Sequence, residues 1–170
     1  MANVTWGILN NIENSLVEFL QAAITTESLT VPDDKGNPKT PEVRVGFEND
    51  GNWELPVISL YGDQRTSPRG FVGSNKRLNN YLIVIDIRAL HIGMQNNLTD
   101  WLQKTVNNGF PYYTYAPNIS DPDNPLKTLA GYISLEFVSN LPVRLGDTAD
   151  MFEKYRQNIT ISVFIENCAC

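Results

Sequence analysis

The sequence predicts an α+β domain: a mostly antiparallel sheet of about five strands, with two main helices packed on one face. Three observations lead there. Two segments repeat apolar residues at helical spacing. Three longer segments alternate apolar and polar residues with period two. The long strands are joined by connections short enough for antiparallel pairing, which leaves the helices to one side of the sheet.

The first element is a helix. Ile12, Leu16, Phe19, Leu20 and Ala23 draw one apolar stripe, while Asn10, Glu13, Asn14 and Glu18 fall mostly off it. Thr5 is placed to act as N-cap. The helix should end near "TTES", where β-branched and small polar residues accumulate. Residues 32–42, "PDDKGNPKTPE", hold three prolines, a glycine and five charges, which reads as an exposed loop.

A short strand follows at 43–47, with Val43, Val45 and Phe47 on one side. "NDGN" at 49–52 is a turn signal. "ELPVISLY" at 54–61 reads as a strand. Pro56 has no N–H for a ladder, so it belongs at an edge or at the strand's start. Residues 62–80, "GDQRTSPRGFVGSNKRLNN", form a long connection. No acid occurs from Gln64 to Ile85, and Arg65, Arg69, Lys76 and Arg77 all fall in this basic stretch of an acidic chain.

"YLIVIDIRAL" at 81–90 is the strongest strand signal. Tyr81, Ile83, Ile85, Ile87 and Ala89 line one face. Leu82 and Val84 start the other face apolar, before Asp86 and Arg88 turn it polar. Burial on both faces suits a central strand. A second helix spans roughly 95–107, with Leu98, Trp101, Leu102 and Thr105 or Val106 on one face and Gly109 where a helix stop is expected. "FPYYTYAPNISDPDNPL" at 110–126 carries four prolines and reads as neither helix nor central strand. "AGYISLEFVSNL" at 130–141 sets Ile133, Leu135 and Phe137 against Tyr132, Ser134 and Glu136. The last strand puts Tyr155, Gln157, Ile159, Ile161, Val163 and Ile165 on one face. Arg156, Asn158, Thr160 and Ser162 take the other.

The totals agree with one folded domain. A chain of 170 residues is read as a single unit, 1–170, with long loops at about 30–42, 62–80 and 110–128. Hydrophobic residues at 42% against 19% charged exclude a disordered chain. The net charge of −6 argues against duplex DNA binding, which needs a concentrated basic face. No apolar run is long enough to span a membrane, and no export signal is visible, so synthesis in the cytoplasm is expected. The four N-x-S/T sequons at Asn3, Asn97, Asn118 and Asn158 then read as accidents of composition.

Chemical templates find no match. Cys168 and Cys170 are one residue apart, against the two-to-four-residue spacing and second ligand pair of zinc sites, and C-x-x-C redox motifs differ too. They read as a short tail past the last strand. His91, the single histidine, closes the central strand with no nucleophile-elbow motif anywhere. "GFVGSNKR" at 70–77 lacks the P-loop spacing. "DPDN" and "ENDGN" lack the spacing of a calcium loop. The expectation is no catalytic, cofactor-binding or metal residues, and no enzyme.

The chain resembles the tail terminator (tail completion) proteins of tailed bacteriophages. The likeness runs through "ILNNIENSLVEFLQAAI", "LPVISLYGD" and its basic loop, "NNYLIVIDIRAL", "NNLTDWLQKTV", "GYISLEFVSNLPVR" and "YRQNITISVFI". It is one of element order and strand character. The chain is longer than compact members in 30–52 and 110–128. The resemblance implies a structural virion protein at the head–tail junction, made in the host cytoplasm. It implies a homo-oligomeric ring, a hexamer, that caps the tail tube protein, ends tube polymerisation and meets the head connector or neck proteins. In contractile tails it also meets the sheath protein. DNA would pass through the ring without sequence-specific binding, and no membrane is involved. The basic loop, Arg65, Arg69, Lys76 and Arg77, would dock a partner. Alternatives are a head-closure or neck ring protein, and a small hydrolase or ligand-binding domain, the latter using "FPYYTY".

Overall fold

The computed structural model describes residues 7–46, 54–63, 81–121, 124–143 and 155–167. Helix α1 spans Ile8–Glu27. Ile12, Leu16, Leu20 and Ile24 form its buried stripe, and Phe19 stacks on Phe110 with ring centroids 5.9 Å apart. The N-cap is Gly7, with extended backbone, and not Thr5, which lies outside the described residues. Ser28 closes the helix in the left-handed region, φ 50°, with Leu29 N–H bonded to Ile24 C=O.

The predicted loop at 32–42 contains a small antiparallel hairpin, β1 (Val31–Pro32) and β2 (Pro38–Lys39). One side chain organises its turn. Asp33 Oδ1 accepts from the Lys35 and Asn37 backbone N–H groups at 2.8 Å each, which with the Asn37 amide holds the carboxyl below its usual range.

Strands β3 (Glu42–Val45), β4 (Val57–Asp63), β5 (Tyr81–Ala89), β6 (Phe110–Ala116), β7 (Leu126–Val143) and β8 (Tyr155–Asn167) form the main sheet, in the order β3-β4-β5-β8-β7-β6. Helix α2 spans Ile92–Val106. The fold is α+β, as predicted, but the sheet has six strands and is mixed. β3 runs parallel to β4, while the other four pairings are antiparallel. A parallel pair needs a crossover of about a dozen residues. Residues 46–56 supply one, so the "NDGN" signal, which lies outside the described residues, does not join a hairpin.

The proline-rich segment after Gly109 also departs from expectation. It forms β6, and the reason it is tolerated is its place at the sheet's edge, where Pro111 has an outward side with no ladder to break. Gly109 leads into it with φ +78°. A Cβ there would lie 2.0 Å from the Ile133 carbonyl oxygen, so only glycine permits β6 to start this close to β7.

Both helices contribute to one hydrophobic cluster on one face of the sheet. Met94, Leu98, Leu102 and Val106 from α2 join the α1 stripe over Ile83, Ile85, Ile87, Ile159, Ile161 and Val163. Helix α2 packs on β5 and β8, the middle of the sheet, whereas α1 touches β3, β4 and β6. Glu13 and Ser15, two residues apart on α1, bond to Gly62 of β4 and Tyr113 of β6, which stand four places apart in the sheet. Flat, those strands would lie about 19 Å apart, while a helix with its side chains is about 10–12 Å across, so the sheet curls around α1. Register shifts at Tyr112/Tyr113 in the β6–β7 ladder and at Phe137/Ser139 in the β7–β8 ladder are bulges of the kind that let strands bend.

Polar side chains fix α1 between those edges. On one side, Glu13 Oε1 accepts from Gly62 N–H at 2.6 Å, and Gln21 reaches Val43 C=O at 3.4 Å. On the other, Ser15 Oγ accepts from Tyr113 N–H at 3.0 Å, and Glu18 pairs with Lys127. The Lys127 ammonium also sits 4.0 Å from the Tyr113 ring centroid.

Candidate docking surface

The cations singled out in the sequence, Arg65, Arg69, Lys76 and Arg77, lie outside the described residues, as do Cys168 and Cys170. The ends of that basic connection are placed. Asp63 pairs with Leu82 at the β4–β5 junction, where a two-residue turn would join antiparallel neighbours. The chain instead inserts residues 64–80 there.

His91 has a structural task. Its Nδ1 accepts from Met94 N–H at 3.1 Å, making it the N-cap of α2, and its Nε2 lies 3.0 Å from Pro32 C=O. One ring thus starts α2 and ties it to the β1–β2 hairpin. Among the described residues, no group of three or more His, Cys, Asp or Glu side chains is arranged to hold a metal ion. Among them, no helix is long and apolar enough to cross a membrane.

The sheet face away from the helices carries the one cluster of buried charge described. Asp86 is fully buried. Its Oδ2 accepts from Arg88 Nε at 2.9 Å and its Oδ1 from Arg156 Nε at 2.5 Å. The register explains the geometry, since Arg88 and Arg156 pair across β5 and β8 and Asp86 stands one step along beside Asn158. The sequence marked Asp86 and Arg88 as the polar turn of this face. Arg156 joins them only through the pairing of β5 with β8, which no local pattern reveals.

A second polar link lies at the same level on the helix-bearing face of the sheet. Gln95 of α2 donates to Gln157 Oε1 at 2.7 Å, and Gln157 donates to Asn140 of β7. This explains a glutamine in register with the isoleucines of β8: it meets a buried amide and not a hydrocarbon.

Edges distinguish the surface of this sheet. Unpaired strand edges template association, and folded proteins blunt them. Here α1 blunts two. β3 is only four residues long, and its Val43 carbonyl is taken by Gln21. β6 has the Tyr113 N–H taken by Ser15 and has no N–H at Pro111. β7 is different. β6 covers it only from Leu126 to Ile133, while β8 pairs with it on the other side as far as Val143. Among the described residues, nothing pairs with the outer side of residues 134–143.

That open edge is apolar. Phe137, Val138 and Leu141 are 38%, 57% and 63% exposed, so the predicted core face of this strand ends near Leu135, which is half-buried. The signal overlooked in the sequence was length: β7 outruns β6. An open groove of about 480 Å³ adjoins the edge, lined by Asp100, Gln103, Lys104 and Asn107 of α2 and by Phe137. The surface offers backbone hydrogen-bonding groups and apolar side chains, a combination suited to an added strand.

No protein-family model matches the chain, and no curated protein matches it.

Proposed function

We propose that the chain is a structural, non-catalytic subunit of a phage tail terminator: a homo-oligomeric ring that caps the tail tube, ends its polymerisation and joins the tail to the head connector. The observation that carries this reading is the apolar edge of β7, with which nothing pairs over residues 134–143 among the described residues. Monomeric proteins rarely leave a long apolar strand edge uncovered, because it recruits other chains. An assembly subunit needs such an edge. The resemblance in element order supplies the particular assembly, and the net charge of −6 suits a lumen through which DNA slides without sticking.

In this reading the ring is a hexamer built from head-to-tail contacts that close, and it resides in the virion at the head–tail junction. The basic connection with Arg65, Arg69, Lys76 and Arg77 docks on an acidic partner surface. The test is electron microscopy of the protein mixed with purified tail tubes. Six-fold rings at tube ends, and tubes that no longer elongate, are the expected result. A protein that stays monomeric with tubes present and leaves elongation untouched would sink the reading. Rings found only on the head connector, never on tubes, would move it to a head-closure or neck component.

A further inference from the structure

Asn108–Gly109 is the only Asn-Gly pair in the chain. This dipeptide is the one most open to spontaneous deamidation, because glycine has no Cβ to hinder attack by its backbone nitrogen on the asparagine side chain. The fold puts the pair at the corner between α2 and β6, with Asn108 exposed and Gly109 buried. The chain is anchored on both sides of the corner. Val106 and Phe110 are fully buried, and Phe110 stacks on Phe19. Gly109 itself is held on two counts. Its N–H donates to Val106 C=O at 2.8 Å, and at φ +78° it lies so close to β7 that a Cβ would stand 2.0 Å from the Ile133 carbonyl oxygen.

We infer that Asn108 is a site of spontaneous covalent modification, one that the folded corner withholds and that cannot be seated again once the isoaspartyl product has formed. In the reaction the Gly109 nitrogen gives up its proton and bonds to Asn108 Cγ. The Cγ–Nδ2 bond breaks, and the side-chain nitrogen leaves as ammonia with that proton. Water then opens the succinimide ring. Breaking the new bond from Cγ to nitrogen gives an aspartyl residue. Breaking the original peptide bond gives an isoaspartyl link, whose main chain runs through Cβ and Cγ and is one carbon longer.

The fold opposes the first step and rejects the second product. The attacking nitrogen is engaged with Val106 C=O, and to reach Asn108 Cγ it must leave that bond, so reaction waits for the corner to open. The longer isoaspartyl main chain then has to fit between two buried anchors. Either Gly109 stays off Ile133 or Phe110 leaves its stack on Phe19. The aspartyl product changes only an exposed side chain and fits.

Ageing the whole chain in mildly alkaline buffer, with and without urea above the unfolding midpoint, tests both halves. Peptide mass mapping follows deamidation at Asn108 and separates the two products. The folded chain should react at least about tenfold more slowly than the unfolded one. After refolding, the isolated isoaspartyl chain should melt about 4 °C or more below unaged protein, or fail to refold. Asn108→Asp should melt within about 2 °C of wild type, the effect of a carboxylate just past the α2 C-terminus. Asn108→Ser taken through the same urea treatment should refold in full, which separates the lesion from damage by the treatment. Equal rates in folded and unfolded chain would overturn the protection. An isoaspartyl chain that melts with wild type, or an Asn108→Asp variant that melts as low as the isoaspartyl chain, would overturn the role of the lengthened backbone.

Discussion

Ser15 Oγ accepts the backbone N–H of Tyr113 at 3.0 Å, across 98 residues of sequence. The hydroxyl has one proton, and it goes to Asn11 C=O at 2.6 Å, so the 3.4 Å approach to the Tyr113 carbonyl is the weaker contact. A buried serine in mid-helix is thereby the stopper of a sheet edge. Ser15→Ala would leave the Tyr113 N–H buried without its acceptor, at a cost of about 1–2 kcal/mol. Urea unfolding should show that loss, and hydrogen exchange should show it concentrated at the Tyr113 amide. An unchanged exchange rate there would mean that Ser15 matters only for packing.

Two glycines separate backbone from side-chain crowding. A Cβ at Gly109 would meet the Ile133 carbonyl at 2.0 Å with φ at +78°, whereas one at Gly62 would meet the Leu9 side chain at 2.3 Å, in ordinary strand conformation. Leu9 can turn away; a ladder carbonyl cannot. Gly109→Ala should cost about 3 kcal/mol or more, and Gly62→Ala about 1–2 kcal/mol. Chemical denaturation of the pair checks the order. Equal losses would contradict it.

Asp86 joins two guanidinium groups on adjacent strands. Asp86→Asn keeps the shape and removes the charge that draws Arg88 and Arg156 together. The expected loss is about 3 kcal/mol, the size seen when one partner of a buried ion pair is deleted. The sheet centre should loosen first, read as faster exchange in β5 and β8 than in α1. A variant as stable as wild type would show that the cluster is incidental.

Glu13 makes stability depend on pH. Burial pushes its carboxyl above the usual carboxylate range, and the bond from Gly62 N–H only partly opposes this. A carboxyl raised in the fold holds its proton to a higher pH than in the unfolded chain. Stability from this group therefore falls as pH rises through the window between the two values. Glu13→Gln keeps an oxygen for Gly62 and removes the charge. Because the group is about half-exposed and screened, the variant should melt only about 1–2 °C above wild type at neutral pH. The gap should close once the pH lies below the carboxylate range. A gap that widens in acid would reverse the assignment.

Local pattern carried most of the architecture. Ile12, Leu16 and Leu20 declare α1, and Ile83, Ile85 and Ile87 declare β5, because period and burial coincide there. Pairing was less legible. The short segment at 43–47 reads as a strand, but its parallel run with β4 depends on a crossover, which has no residue signature. β6 was hidden by Pro111 and the three prolines that follow the strand, and Pro111 is informative only once the edge position is known. The candidate surface was legible in part. The charge of the basic connection stands out in the sequence, but the exposure of Phe137 and Leu141 does not. Their alternation resembles that of a core strand until the short reach of β6 uncovers them.

The place of β8 also sets when the sheet can close. It follows the other described strands in sequence, yet it lies between β5 and β7 and pairs with both. Until it is in place, β4–β5 and β6–β7 are two halves with no seam, and α1 has no curled sheet to occupy. Contacts this distant in sequence close slowly. The sheet is consequently completed all at once. A chain interrupted before Tyr155 has neither the seam between its two halves nor a partner for residues 134–143 of β7.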